Sequence, residues 1–332
     1  MTSESTAATT VRRRVDVLVV GAGPAGLAAA ARLAAAGAGR VEVLEREARS
    51  GGVPRHCAHG GFGTWTRPLT GPGYARLLCE AAERTGAVIR TNVTVLDWAA
   101  PAGATAQGSP ALTTVGPGGV ETIEARAVVL ATGARERPRT ARLVPGTRPA
   151  GVYTTGELQQ AVHLFGQHIG TRAVVVGAGN VSYAAAGTVR ASGAQVVAQV
   201  TDAPRAATAP ARAQWARLRL GTPLLTDTTV TELLGRGRLS GVRVRHRDGR
   251  TAVLPCDTVV FTGDFVAENE LARRGGITLS TGPHTSHPGV FVAGGLCDPG
   301  RRAPAAAEDG TATGSAVLRW LAEAGSPTAA AP

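Results

Sequence analysis

The chain has 332 residues, enough to bury a sizeable core, and its length suggests about two domains. Its hydrophobic fraction is 43%, ordinary for a globular protein, and its formal net charge is +11. All 35 basic residues are arginines, scattered with no tract resembling a nucleic-acid arm, and 4% aromatics are too few for a base-stacking platform, so nucleic-acid binding is not expected.

Residues 1–11 read as a small polar tail, expected to be disordered. Arg12, Arg13 and Arg14 then precede an apolar run that superficially resembles an export signal. Asp16, Gly21, Gly23 and Pro24 interrupt it where such a signal needs an unbroken apolar core. The run reads better as a buried parallel strand from Val15 to Val20, a glycine turn, and an alanine-rich helix from about Ala25 to Ala36 closed by Gly37. Arg40 to Glu45 is the next strand, which completes a βαβ unit. Further on, 111–115 and 120–124 flank a glycine turn as a hairpin, and the strand 127–131 ends at Thr132-Gly133.

The same order then recurs. Ala173 to Val176 lead into a second glycine turn, a helix to about Ser192 and a strand from Gln195 to Val200. A hairpin follows (241–246 and 251–254), then a strand, 258–261, that ends at Thr262-Gly263. The repeat implies a duplicated nucleotide-binding domain. The last piece, a strand within 289–295 and a helix from about Pro304 to Leu321, is too small to stand alone and is expected to complete the first domain. The expected fold is α/β, with two Rossmann-like dinucleotide-binding domains, the second inserted into the first. Residues 12–145 and 255–325 would form the first and 146–254 the second. No apolar stretch approaches the roughly 20 unbroken residues of a membrane span. Four widely separated cysteines without a CxxC fit a reducing cytoplasm.

The first fingerprint, Gly21-Ala22-Gly23-Pro24-Ala25-Gly26, has the right context on both sides. Gly21 permits the tight turn, Gly23 lets backbone approach a pyrophosphate, and Gly26 lets helix pack on strand. Glu45 lies about 20 residues beyond, where a carboxylate can accept ribose hydroxyls. In the second fingerprint, Gly177, Gly179 and Asn180 keep the turn, and Ser182 replaces the third glycine. Val200 stands opposite Glu45, so the ribose carboxylate is missing. Asp202 or Arg205 would have to substitute, or the site is retained as scaffold. Ala131, Thr132 and Gly133 again bring glycine backbone to a cofactor. Asp309-Gly310 is expected to open the last helix, either facing the cofactor or only capping.

Residues 51–63 form the most unusual segment. Arg55, His56, Cys57 and His59 offer a charge, a proton carrier and a thiol. His56, Cys57 and His59 are the candidate catalytic residues, with a purely structural loop as the other reading. No further ligands are spaced for zinc, so no metal is expected.

This plan resembles the two-dinucleotide-domain flavoproteins of the pyridine nucleotide-disulfide reductase type, at the size of thioredoxin reductase. Gly51-Gly52, Cys57, His59, Gly61-Phe62-Gly63 and Leu69-Thr70-Gly71-Pro72 are similar to a motif of FAD subunits that accompany glycerol-3-phosphate dehydrogenase-like, opine oxidase and hydrogen cyanide synthase complexes. The segments 131–137 and 145–151, Cys256-Asp257 and 268–271 look like further signatures. The resemblance covers about residues 13 to 300 and implies FAD at the first fingerprint and NAD(P)H at the second. Arg46, Gly52, Val53, Val93, Gly294 and Asp298 join the expected cofactor contacts. Gly295 stands where such proteins usually carry Asp or Asn against the ribityl chain, and Asp298 is the expected substitute. Disulfide reduction is not expected, because the CxxC of thioredoxin reductase and the C-terminal dimerisation domain of the larger disulfide reductases are missing.

The expected function is an FAD-dependent oxidoreductase passing electrons between its flavin and NAD(P)H or a partner dehydrogenase subunit. The alternatives are a self-contained FAD oxidase or dehydrogenase of a small amine or hydroxy acid, and a non-catalytic electron-transfer subunit. The partner would be a small-molecule substrate or a flavoprotein subunit; oligomeric state is left open.

Overall fold

An apolar run with no polar residue on either face must be a strand covered on both sides. That is the state of Val17 to Val20, all buried in the centre of a parallel sheet. The computed structural model describes residues 11–64, 66–99, 108–219 and 221–325. In it the strand begins earlier than its apolar part, at Val11–Val20 (β1). Two of its arginines find partners there: Arg13 pairs with Glu42 and Glu121, and Arg14 with Glu124. The expected tail lies outside the described residues except for Val11, which opens β1.

After β1 come α1 (Pro24–Ala35), β2 (Val41–Leu44), α2 (Gly71–Arg84), β3 (Val88–Arg90), β4 (Thr94–Trp98), β5 (Ala111–Gly116) and β6 (Gly119–Leu130). The middle of the chain builds β7 (Val152–Thr154), α3 (Thr155–Gln159), β8 (Arg172–Val176), α4 (Asn180–Ala191), β9 (Gln195–Val200), α5 (Pro210–Arg219) and β10 (Leu224–Leu225). It continues through β11 (Thr228–Arg236), β12 (Arg238–His246), β13 (Thr251–Pro255) and β14 (Thr258–Phe261). The chain closes with β15 (Val290–Val292) and α6 (Ala303–Gly325).

These elements form two compact units. One comprises Met1–Arg55, Phe62–Ala134 and Ala267–Pro332; the other comprises His56–Gly61 and Arg135–Val266. The fold is α/β, two Rossmann-type units with the second inserted into the first. The limits differ from the expected 145/146 and 254/255. The second limit moves because β14 pairs in parallel with β7 on one side and β8 on the other and so belongs to the middle of the second sheet.

In the first unit the described strands run β3-β2-β1-β6-β5-β4, with β15 also paired to β6. The expected hairpin arm 120–124 and strand 127–131 are one strand of 12 residues. Its first half pairs antiparallel with β5, while nearly its whole length pairs in parallel with β1. Alanine-rich α1 lies against α6, and the approach is close because Gly310 has no side chain. A Cβ there would stand 2.0 Å from the Ala25 carbonyl oxygen. In the second unit the order is β7-β14-β8-β9-β10, beside an antiparallel sheet β11-β12-β13. Of that antiparallel sheet, β11 is a strand that the sequence pattern does not announce. Among the described residues no helix is long and apolar enough to cross a membrane.

Candidate functional site

The three fingerprint glycines of the first unit do different things. Gly21 has φ +103°, and a Cβ there would lie 2.4 Å from the Ala131 oxygen. Gly26 would put a Cβ 1.9 Å from the Gly21 oxygen. Both serve the chain's own packing. Gly23 has an ordinary extended backbone, φ −81° and ψ −178°, and a Cβ there meets nothing within 4 Å. The space above Gly23 is thus left open by the chain itself. Pro24 stands at the start of α1, where its missing N–H is no loss. The helix has no side-chain cap and no acidic residue in its first turn, so its free amides and positive dipole end face that space. Ala25 is buried beneath it.

Glu45 follows β2 and is 9% exposed. One carboxylate oxygen accepts from the Ala22 amide at 3.0 Å, the other from the Glu47 amide at 2.9 Å. A carboxylate oxygen can accept more than one hydrogen bond, so each retains capacity for a ribose hydroxyl. Val93 is buried beside it, its amide donating to the Glu45 carbonyl, while Arg46 is exposed. The loop after β2 returns to the fingerprint. Gly51 N donates to Ala22 O at 2.8 Å, and a Cβ on Gly52 would lie 2.8 Å from Gly23 Cα, whereas Val53 is exposed. An open helix N-terminus beside a partly satisfied, buried carboxylate fits the ADP half of FAD.

The rim is fixed by backbone. Ala131 N donates to Val20 O, Thr132 Oγ1 donates to Glu268 O at 2.7 Å, and Glu268 N donates to Gly133 O. The tail corrects one expectation. Asp309 does not open α6, which starts at Ala303 just before Pro304. It sits within the helix, and its carboxylate accepts from Gly294 N at 2.8 Å. Asp298 is exposed and paired with Arg301 at 3.4 Å. Of the two carboxylates, Asp309 is the one built into the glycine turn after β15.

In the second unit Gly177 has φ +122° and lies against Thr262 Oγ1. Ser182 Oγ accepts from Gly179 N at 3.1 Å and bonds Thr262 Oγ1 at 2.6 Å, so it occupies one of the amides a phosphate would use. The segment after β9 also folds back over the turn. Ala207 N donates to Ala178 O at 2.9 Å, and Thr208 Oγ1 donates to Asn180 Oδ1 at 2.6 Å. Val200 corrects an expectation: it is fully buried and accepts from Gly177 N as Leu44 accepts from Gly21 N, because the register slip in β9 moves the alignment by one. The residue opposite Glu45 is Thr201, buried, whose Oγ1 accepts from Ala203 N at 3.2 Å as Glu45 accepts from Glu47 N; Asp202 and Arg205 are both exposed.

His56 and Cys57 are buried within the second unit, whereas His59 is exposed with Nδ1 2.7 Å from the Gly60 oxygen. The Cys57 thiol donates to Gln159 Oε1 at 3.3 Å. Burial, helped by the negative charge of Glu136, pushes its pKa up to about 12. Glu136 accepts from Gly156 N at 3.0 Å and Gly263 N at 2.9 Å, and burial raises its own pKa. Sequence pattern alone gives no role to Glu136 or Gln159, although Glu136 lies inside the signature-like segment 131–137. A thiol held in this way suits packing, not nucleophilic attack. At pH 8 its thiolate fraction is on the order of one in ten thousand. Iodoacetamide should therefore leave Cys57 of the folded protein unmodified for hours at pH 8, as read by mass spectrometry of its peptide. Cys57→Ser should retain flavin. An adduct within minutes would restore the nucleophile reading.

A family model described as pyridine nucleotide-disulphide oxidoreductase matches residues 15–310. An opine oxidase subunit from Agrobacterium tumefaciens (strain Ach5) is 34% identical over 183 residues, 54% of this chain and 35% of that protein. The alpha subunit of sarcosine oxidase from Corynebacterium sp. (strain P-1) is 31% identical over 302 residues, 85% of this chain and 30% of that one. The chain thus spans about a third of the length of these curated relatives. A thioredoxin reductase structure from T. acidophilum superposes with a TM-score of 0.78 at 23% identity, covering 94% of this chain and 99% of that one, a likeness of fold.

Proposed function

The chain belongs to the pyridine nucleotide-disulphide oxidoreductase family and is an FAD-dependent oxidoreductase; we propose that it exchanges electrons mainly with a partner dehydrogenase subunit, with NADPH as a weaker donor. The observation that carries this reading is the inequality of the two fingerprints. Glu45 has its counterpart in Thr201, a hydroxyl in place of a carboxylate, and Ser182, Ala207 and Thr208 take up bonding groups around the second turn. The relatives named as oxidase subunits support a partner of that kind.

FAD, when bound, supplies a ring system that takes up or gives back hydride or electrons. The chain's residues place it. The α1 amides and the space above Gly23 receive the pyrophosphate, and Glu45 accepts from the adenosine ribose. Thr132 and Gly133, held by the Glu268 backbone, and Gly294, held by Asp309, form the rigid backbone edges against which the rest of the cofactor is oriented.

Losing the ribose carboxylate at the second site costs about 1.5–3 kcal/mol for each missing charge-assisted hydrogen bond before compensation. NADH should therefore bind at least about tenfold more weakly than at a complete site. Exposed Arg205 can meet a 2′-phosphate and so favours NADPH. Anaerobic titration of the purified protein, following the flavin band, is the test. Slow reduction by NADPH, poorer reduction by NADH, and faster reduction once a co-purified partner and that partner's substrate are added are expected. Fast reduction by micromolar NADH would overturn the reading.

A further inference from the structure

The register between β8 and β9 slips by one residue. Ala173 pairs with Val196 but Val174 pairs with Ala198, which leaves Val197 extra on β9. An extra residue reverses the face taken by the side chains that follow, and such bulges often re-aim one residue towards a site. Gln199 is thereby turned to the α4 side of the sheet. It is 2% exposed, and among the described residues its Nε2 has no hydrogen-bond partner. Buried amides are nearly always paired, so an orphan needs an explanation.

Gln199 opens into a cavity of about 450 Å³ between α4 and α5, lined also by Tyr183, Gly187, Arg190 and Trp215. Gly187 adds to the room by carrying no side chain between Tyr183 and Arg190: a Cβ there would meet nothing within 4 Å. Arg190 hydrogen-bonds neutral oxygens, those of Thr222 and Ala186. Burial lowers its pKa, with no carboxylate among the described residues acting on it. Trp215 is 56% exposed, an expensive surface for a large ring. The cavity lies along the later turns of α4, beyond the Gly177–Ser182 fingerprint.

We propose that this cavity binds a small organic monocarboxylate with a flat apolar body, the carboxylate held between the Arg190 guanidinium and the Gln199 amide and the body lying against Tyr183 and Trp215. The guanidinium fork matches a carboxylate, and the neutral amide adds a donor without adding charge, which fits one negative charge and not two. The volume falls within the roughly 300–1,000 Å³ of small-molecule sites. This assignment does not depend on the electron partner proposed above.

The test uses 1-naphthoate, titrated calorimetrically into the full-length, FAD-loaded protein, with 1-naphthalenemethanol as the uncharged control. One saturable site per chain is expected, with the alcohol at least tenfold weaker. Arg190→Gln and Gln199→Met should each weaken naphthoate at least tenfold and leave NADPH titration of the flavin unchanged. Gln199→Met keeps the side-chain volume and removes an unpaired amide, so its Tm should equal or exceed that of the parent, which certifies the fold. No saturable heat at millimolar naphthoate, equal binding of the alcohol, unaltered affinity in Gln199→Met, or displacement of naphthoate by NADPH would each overturn the assignment.

Discussion

Replacing Gly23 with valine should give a folded but colourless protein. The backbone at Gly23 is extended, a conformation any residue adopts, and an added Cβ meets nothing within 4 Å. The cost to the apoprotein should be about 1 kcal/mol, that of a poorer N-cap on α1. The branched side chain would instead occupy the space where the pyrophosphate meets the α1 amides, so FAD affinity should fall by at least about a hundredfold, or roughly 2.7 kcal/mol. Gly26→Val should behave in the opposite way. Its Cβ would lie 1.9 Å from the Gly21 oxygen, a backbone atom that cannot swing aside, and the fold itself should lose about 3 kcal/mol or more. The ratio of flavin to protein absorbance and the melting of the apoproteins separate the two outcomes. Apoproteins are the proper comparison, because bound FAD adds its own stabilisation. A yellow Gly23→Val protein with unaltered affinity would remove the pyrophosphate from this turn.

The second large effect is expected at Glu45. Its two oxygens already hold the amides of Ala22 and Glu47, so the side chain joins the fingerprint turn to the end of β2 before any cofactor arrives. Glu45→Ala leaves both amides without that acceptor in a nearly closed place, at a cost of about 1–3 kcal/mol each. It also removes the ribose acceptor, so FAD should bind at least about a hundredfold more weakly, while FMN, which lacks the adenosine half, should bind weakly to both proteins. Glu45→Gln keeps one oxygen and should fall between. Flavin fluorescence titration gives the affinities, and an alanine variant that holds FAD within threefold of the parent would contradict the assignment.

Much of this was legible from local pattern. The run Val17 to Val20, the spacing of Gly21, Gly23 and Gly26, and Glu45 at the next strand end are short-range signals, and the two βαβ units follow from them. What escaped notice depends on distant contacts. Residues 56–61 join the second unit through contacts such as Cys57 with Gln159, a partner 102 positions away. Asp309 resembles a helix cap because Gly310 follows it, yet Gly310 is there for the Ala25 backbone and the helix begins earlier, at Ala303. The extra residue at Val197 leaves no trace in a run of apolar side chains, because either register buries them. Asp257, legible only as part of a signature, holds the amides of Thr171 and Arg172 at the start of β8.

The contact of α6 with α1, and of β15 with β6, sets an order of events during synthesis. β1 and α1 leave the ribosome first, but the strand and helix that cover them come from positions 290–325. At about 5–20 residues per second, the interval between residue 55 and residue 290 is roughly 10–50 s. Within it the inserted unit, complete at residue 266, can finish folding while Leu27, Ala30 and their neighbours wait exposed. A chain cut shortly before Ala303 would lack α6, whose Gly310 packs on the Ala25 backbone, and would leave the apolar face of α1 uncovered.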